Sequence, residues 1–126
     1  MRRRGALAVL AATPAWAATP ASPQTHPDVL GAKASARGND VFDFDVTVSS
    51  PYDTPQRYAD AFRVMGPDGE VYGVRALLHD HAGEQPFTRD LYGVRIPPGV
   101  KRVTLQGRDR VHGWGGGTYD LPLPGR

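Results

Sequence analysis

Two histidines stand two apart in LLHDHAGEQPF (residues 77–87), with Asp80 between them and Glu84 three residues after His81. In extended backbone, residues i and i+2 point the same way, so His79 and His81 can turn both imidazoles toward one ion while Asp80 faces away. His112 offers a third nitrogen from another part of the chain, and Glu84 or Asp80 a carboxylate. Such a set, His79, His81, His112 and Glu84, suits Zn²⁺ or Cu²⁺. With no cysteine, and with Met65 inside a predicted strand, a soft Cu⁺ site has little support. The plainer reading is an ordinary polar turn, in which Glu84 and Gln85 cap the loop and Arg89 pairs with Glu84 or Asp90. Both readings stay open on the residues alone.

Other chemistries find less footing. Ser49 and Ser50 precede Pro51 with no nucleophile elbow around them, and no phosphate-cradling glycine loop or paired-carboxylate site is visible. A hydrolytic Zn²⁺ centre would also need a general base, and none can be placed. The reading is therefore a binding protein rather than an enzyme.

The elements that must position these groups are strands. Residues 41–49 (VFDFDVTVS) put Phe42, Phe44, Val46 and Val48 on one face and Asp43, Asp45 and Thr47 on the other. Turn residues such as Gly66-Pro67-Asp68-Gly69 and Pro97-Pro98-Gly99 separate further runs. Seven strands are predicted, at about 29–36, 41–49, 61–65, 70–78, 87–96, 102–110 and 118–123, with at most one helical turn in QRYADA (56–61). This pattern predicts an all-β, seven-stranded immunoglobulin-like or fibronectin-type-III-like sandwich.

If each strand crosses the sandwich once, the loops after the second, fourth and sixth strands lie at the end where the first begins. His26, His79, His81 and His112 all map to that near end, with Tyr52, Asp53, Tyr58, Asp80, Glu84 and Trp114. Loops at one end of a rigid scaffold are a usual place for binding groups. Trp114, among glycines in VHGWGGG, reads as a lid over the core or as an exposed anchor for a partner. Asp109 is in phase with Val103 and Leu105, so it points inward and wants backbone donors, an arginine or a histidine.

The N-terminus reads differently. Arg2, Arg3 and Arg4, the apolar run 5–12 and Ala15-Trp16-Ala17 have the layout of a secretory signal peptide over residues 1–17. A Pro-rich arm (18–28) and the sandwich domain (29–126) follow. The formal charge of the whole chain is +2. Without the leader's three arginines it becomes −1, so no affinity for nucleic acid is expected. The mature chain is expected to have no membrane span, to be periplasmic or secreted, and to hold its core without disulfides.

The segments YADAFRVMGPDGEVYGVRALLHDH, EQPFTRDLYGVRIPPGV and DRVHGWGG together resemble a family of small exported proteobacterial proteins. The resemblance covers about residues 41–123 and implies a periplasmic β-sandwich without transferring a catalytic role. His79, His81, Glu84, Gln85, Arg89, His112 and Trp114 are the matching polar and aromatic positions, whereas Asp80 stands where proline is expected. The first functional expectation is Cu²⁺ or Zn²⁺ binding for carriage, sensing or delivery. Its rival is a metal-free module that docks a periplasmic protein through the same loop end and Trp114.

Overall fold

The computed structural model describes residues 23–126; the expected signal peptide and residues 18–22 of the arm lie outside the described residues. Seven strands form: β1 (Asp28–Gly38), β2 (Val41–Ser49), β3 (Ala59–Met65), β4 (Val71–Ala76), β5 (Phe87–Arg95), β6 (Arg102–Asp109) and β7 (Gly113–Pro122). They make two antiparallel sheets, of order β1-β2-β5 and β4-β3-β6-β7, and no helix is present among the described residues. QRYADA is not helical: Thr54 and Arg57 exchange backbone hydrogen bonds, and strand β3 starts at Ala59.

Alternation builds the core. Phe42, Phe44, Val46 and Val48 of β2 are buried, facing Phe62 and Val64 of β3 and Val103 and Leu105 of β6 across the sandwich. Each such side chain contributes about 1.5–3 kcal/mol by leaving water. Phe87 and Ile96 complete the interior from the second sheet edge.

The largest departure from expectation is β7. It begins at Gly113 rather than 118, so the glycine run is strand and not loop. The reason is what lies against it. A Cβ on Gly115 would come within 2.6 Å of the His26 ring, one on Gly107 within 2.7 Å of Pro27, and one on Gly116 would collide with the Pro27 carbonyl. Gly116 also has a φ of +82°, a conformation that costs a side-chain-bearing residue extra strain. The missing side chains make a seat for the incoming chain.

The described part of the arm is correspondingly docked. Gln24 donates to the carbonyls of His26 (2.8 Å) and Ser49 (3.0 Å), Pro27 is buried, and Asp28 accepts the Gly117 amide at 2.7 Å. These contacts close the β1–β7 flank. At the far end, the Arg126 guanidinium pairs with Asp40 (2.8 Å) and donates to the carbonyls of Ile96, Pro97 and Val100.

Candidate functional site

The loops after β2, β4 and β6 do meet at one end. Ser50 N donates to Gln85 Oε1 (2.7 Å), His81 N to Asp53 Oδ2 (3.2 Å), and Arg110 N to the Tyr58 carbonyl (2.9 Å). Asp53 is the central tie. Its other oxygen accepts the Ala59 amide at 3.1 Å, so one buried carboxylate joins the first residue of β3 to the histidine loop. Gln85 adds a second tie by donating to the His81 carbonyl at 2.9 Å.

The histidines themselves form two separate pairs. The His79 and His81 rings lie 4.9 Å apart between centroids, and those of His26 and His112 lie 5.9 Å apart. Among the described residues, no three His, Asp or Glu side chains are grouped to hold an ion. The expected set of His79, His81, His112 and Glu84 therefore does not converge. Strand order explains why. His79 and His81 follow β4, one edge of the four-stranded sheet, whereas His112 leads into β7, the opposite edge. Two to three strand spacings, about 10–14 Å, separate those positions, against ~4 Å between nitrogens sharing a metal. Glu84 is engaged elsewhere, in an ion pair with Arg89 at 3.0 Å that holds its carboxyl below the usual range.

His81 is the more enclosed imidazole, at 6% exposure, stacked on Phe87 with ring centroids 4.0 Å apart. Burial, then the charge of Arg89 and the neighbouring His79, pull its pKa down, so the ring is held neutral. Its Nδ1 is enclosed without a hydrogen-bond partner. A buried unpaired N–H is costlier than an unpaired lone pair, which puts the proton on Nε2. His79 is exposed, and its Nδ1 donates to the Asp80 carbonyl at 2.9 Å.

Asp109 behaves as its phase in β6 implies. Fully buried, it accepts the amides of Val111 (2.9 Å) and His112 (2.8 Å) and pairs with Arg57 Nε at 3.3 Å. Burial pushes its pKa up, but the His112 amide, Tyr52, the Val111 amide and Arg57 outweigh this and leave it lowered. Burial and the Asp109 charge push the Tyr52 phenol up in turn. This cluster shapes the β6–β7 turn.

Trp114 is no lid over the core. It pairs with Arg108 on the outer face of the four-stranded sheet, and the guanidiniums of Arg63 and Arg108 lie 4.1 and 5.1 Å from its ring. Gln106 and Asp60 fix those arginines, the first through two bonds to Arg63 and the second by a 2.7 Å ion pair with Arg108.

The chain is similar to a Halomicrobium mukohataei protein named "Putative lipoprotein". Identity is 34% over 89 residues, which is 71% of this chain and 43% of that protein. The chain thus spans less than half the length of this curated relative. No family profile matches it, and no solved structure does either.

Sequence reasoning put Asp53 at the right end of the sandwich but missed its role, and it missed Arg75 altogether. Asp53, in SPYDT, carries no signal beyond that of a turn residue, yet it is the clamp on the loop. Arg75 sits in the apolar run VYGVRALL on the same side as its partner Phe62; at the sheet edge it reaches across to β5, donating to the Asp90 carboxylate at 2.7 Å. Only knowing that β4 is an edge strand could have placed it there.

Proposed function

We propose that this protein is an exported recognition domain that docks a partner protein through the β4–β5 loop and the adjoining outer face of the four-stranded sheet. One observation carries the reading: Leu78, 83% exposed, is displayed on a loop that is fixed from both sides. Leu77 just before it is buried and donates to the Asp60 carbonyl at 2.9 Å, and His81 just after it is clamped by Asp53. A large apolar side chain held out on rigid backbone loses little freedom on binding, which is the property of an interface anchor.

The surface continues from Leu78. Tyr58 hydroxyl approaches the Leu78 carbonyl (3.5 Å), and exposed Ala76 on β4 is followed, across the fully buried Ala61, by Arg108 and Trp114 toward β7. The relative's name supports placement outside the cytoplasm or at the cell envelope. The strand order supports the fibronectin-type-III-like form of the sandwich, since β4 joins β3 rather than the β1-β2-β5 sheet. Cu²⁺ or Zn²⁺ carriage has less behind it, because His112 lies apart from His79 and His81, Glu84 is paired with Arg89, and no three such side chains are grouped to hold an ion among the described residues.

The test is a comparison of the purified chain with Leu78→Ser. Envelope proteins retained by the first are identified, purified and titrated against both. A partner that binds the unaltered chain at least about tenfold more tightly supports docking through Leu78. Equal binding to both, with unchanged folding, would overturn it.

A further inference from the structure

Beside Leu78 lies an open groove of about 410 Å³, lined by Arg75, Ala76, Leu77, Leu78, His79, His81 and Arg89. Every ionisable group in that lining is a nitrogen base, and no carboxylate is among the lining residues. The two acids that pair with its arginines stand outside. Asp90 takes Arg75 Nη1 through both its carbonyl (2.6 Å) and its carboxylate (2.7 Å), and Glu84 takes the Arg89 Nη atoms. These bonds orient the guanidiniums and occupy both Nη atoms of Arg89, leaving its Nε without a partner among the described residues. Arg75 spends Nε and Nη1, and its Nη2 has no partner among the described residues.

His81 gives the groove a fixed polar wall. Its ring is clamped by the Phe87 stack and by Asp53 on its amide, and the enclosed Nδ1 leaves Nε2 as the donor on the less enclosed side. A second depression, of about 480 Å³ at β1 and β2, offers only Lys33 opposite Asp45 and has no comparable convergence.

We infer that this groove binds a carboxylate carried on a short aliphatic stem, the side chain of an acidic residue of the docked partner. The inference rests on the docking proposed for Leu78. Arg75 Nη2 and Arg89 Nε can each donate to a carboxylate oxygen, an Nε2–H from His81 adds a neutral donor, and the apolar wall of Ala76, Leu77 and Leu78 takes the methylenes. Asp90 and Glu84 already balance the two guanidinium charges one for one, so the remaining N–H donors suit a single negative charge better than a doubly charged phosphate.

Glutarate and inorganic phosphate serve as probes in amide-resolved NMR titrations of the full chain, of Arg75→Gln and of Arg89→Gln. Glutarate is expected to give saturable shifts at residues 75–81 and 89, with an apparent Kd at least about tenfold weaker in either variant. Thermal unfolding checks that each variant is folded, and His79→Ala provides a third if one is not. No saturable shift with glutarate, shifts indifferent to all the substitutions, or shifts with phosphate alone would each overturn the inference. If glutarate fails while Leu78→Ser still weakens the partner, the groove assignment falls and docking stands. If glutarate binds but the partner ignores Leu78→Ser, docking falls and the carboxylate site stands.

Discussion

Asp53 holds His81 in place across 28 residues of chain, its Oδ2 accepting the His81 amide at 3.2 Å while Oδ1 accepts that of Ala59. Both amides are buried, so removing the acceptor leaves donors without partners. Asp53→Ala should destabilise the fold by about 2–4 kcal/mol, and Asp53→Asn by roughly half of that, since one oxygen remains. Urea denaturation measures the loss. Amide exchange at His81 should accelerate more than at Phe44, and equal acceleration would contradict a local clamp.

His81 should make stability pH-dependent. Its folded pKa is depressed, chiefly by burial, while the unfolded chain titrates near the ordinary value of about 6.5. As pH falls, the unfolded state takes up the proton first. This contribution is therefore complete above about 6.5 and is lost as pH falls from there toward the folded pKa, at no more than ~1.4 kcal/mol per pH unit. Unfolding free energies between pH 5 and 7.5 should show a shallower slope in His81→Gln. Parallel profiles for the two proteins would rule the histidine out as the source.

The glycine seat is testable by adding one methyl group. Gly116→Ala meets both the Pro27 carbonyl and a left-handed backbone, so it should cost more than about 1 kcal/mol and loosen the first residues of β1. Gly83→Ala meets nothing within 4 Å and should change stability by less than about 0.5 kcal/mol. Thermal midpoints of the pair decide it. If the two substitutions behave alike, the close approach of residues 26–27 to β7 is not what the glycines serve.

Trp114 lies beside two guanidiniums, those of Arg63 and Arg108, on the outer face of its sheet. Trp114→Ala should cost about 1–2 kcal/mol through two cation–π contacts of ~0.5–1 kcal/mol each. Arg63→Ala in the Trp114→Ala background should then cost less than it does alone, and a double-mutant cycle reads that coupling. Additive losses would show that the stack contributes nothing of its own.

How much of this was readable beforehand differs by element. The alternation of VFDFDVTVS placed β2 to the residue, because two faces of a half-buried strand leave a period-2 signature. Turn chemistry placed β5 within one residue at its end. The start of β7 was hidden, because a run of glycines looks like a loop until the body packed on it is known. The near-end grouping of the loops follows from counting strands. The separation of His112 from His79 does not, since it depends on β4 and β7 being opposite edges of one sheet. That order is fixed by long-range pairing which local sequence does not encode. Phase likewise predicted that Asp109 turns inward, but not that Asp53, a loop residue with no phase, would be the other buried carboxylate.

The Arg126 latch has a practical corollary. Because it ties Arg126 to the loops holding Asp40, Ile96 and Val100, Arg126 sits a strand length from the β4–β5 loop, about 25–30 Å away. Residues 24–28, by contrast, enter at the same end as that loop. A chain immobilised or labelled beyond Arg126 would present Leu78 and its groove outward, whereas a bulky tag just before Gln24 would crowd the surface it was meant to report on.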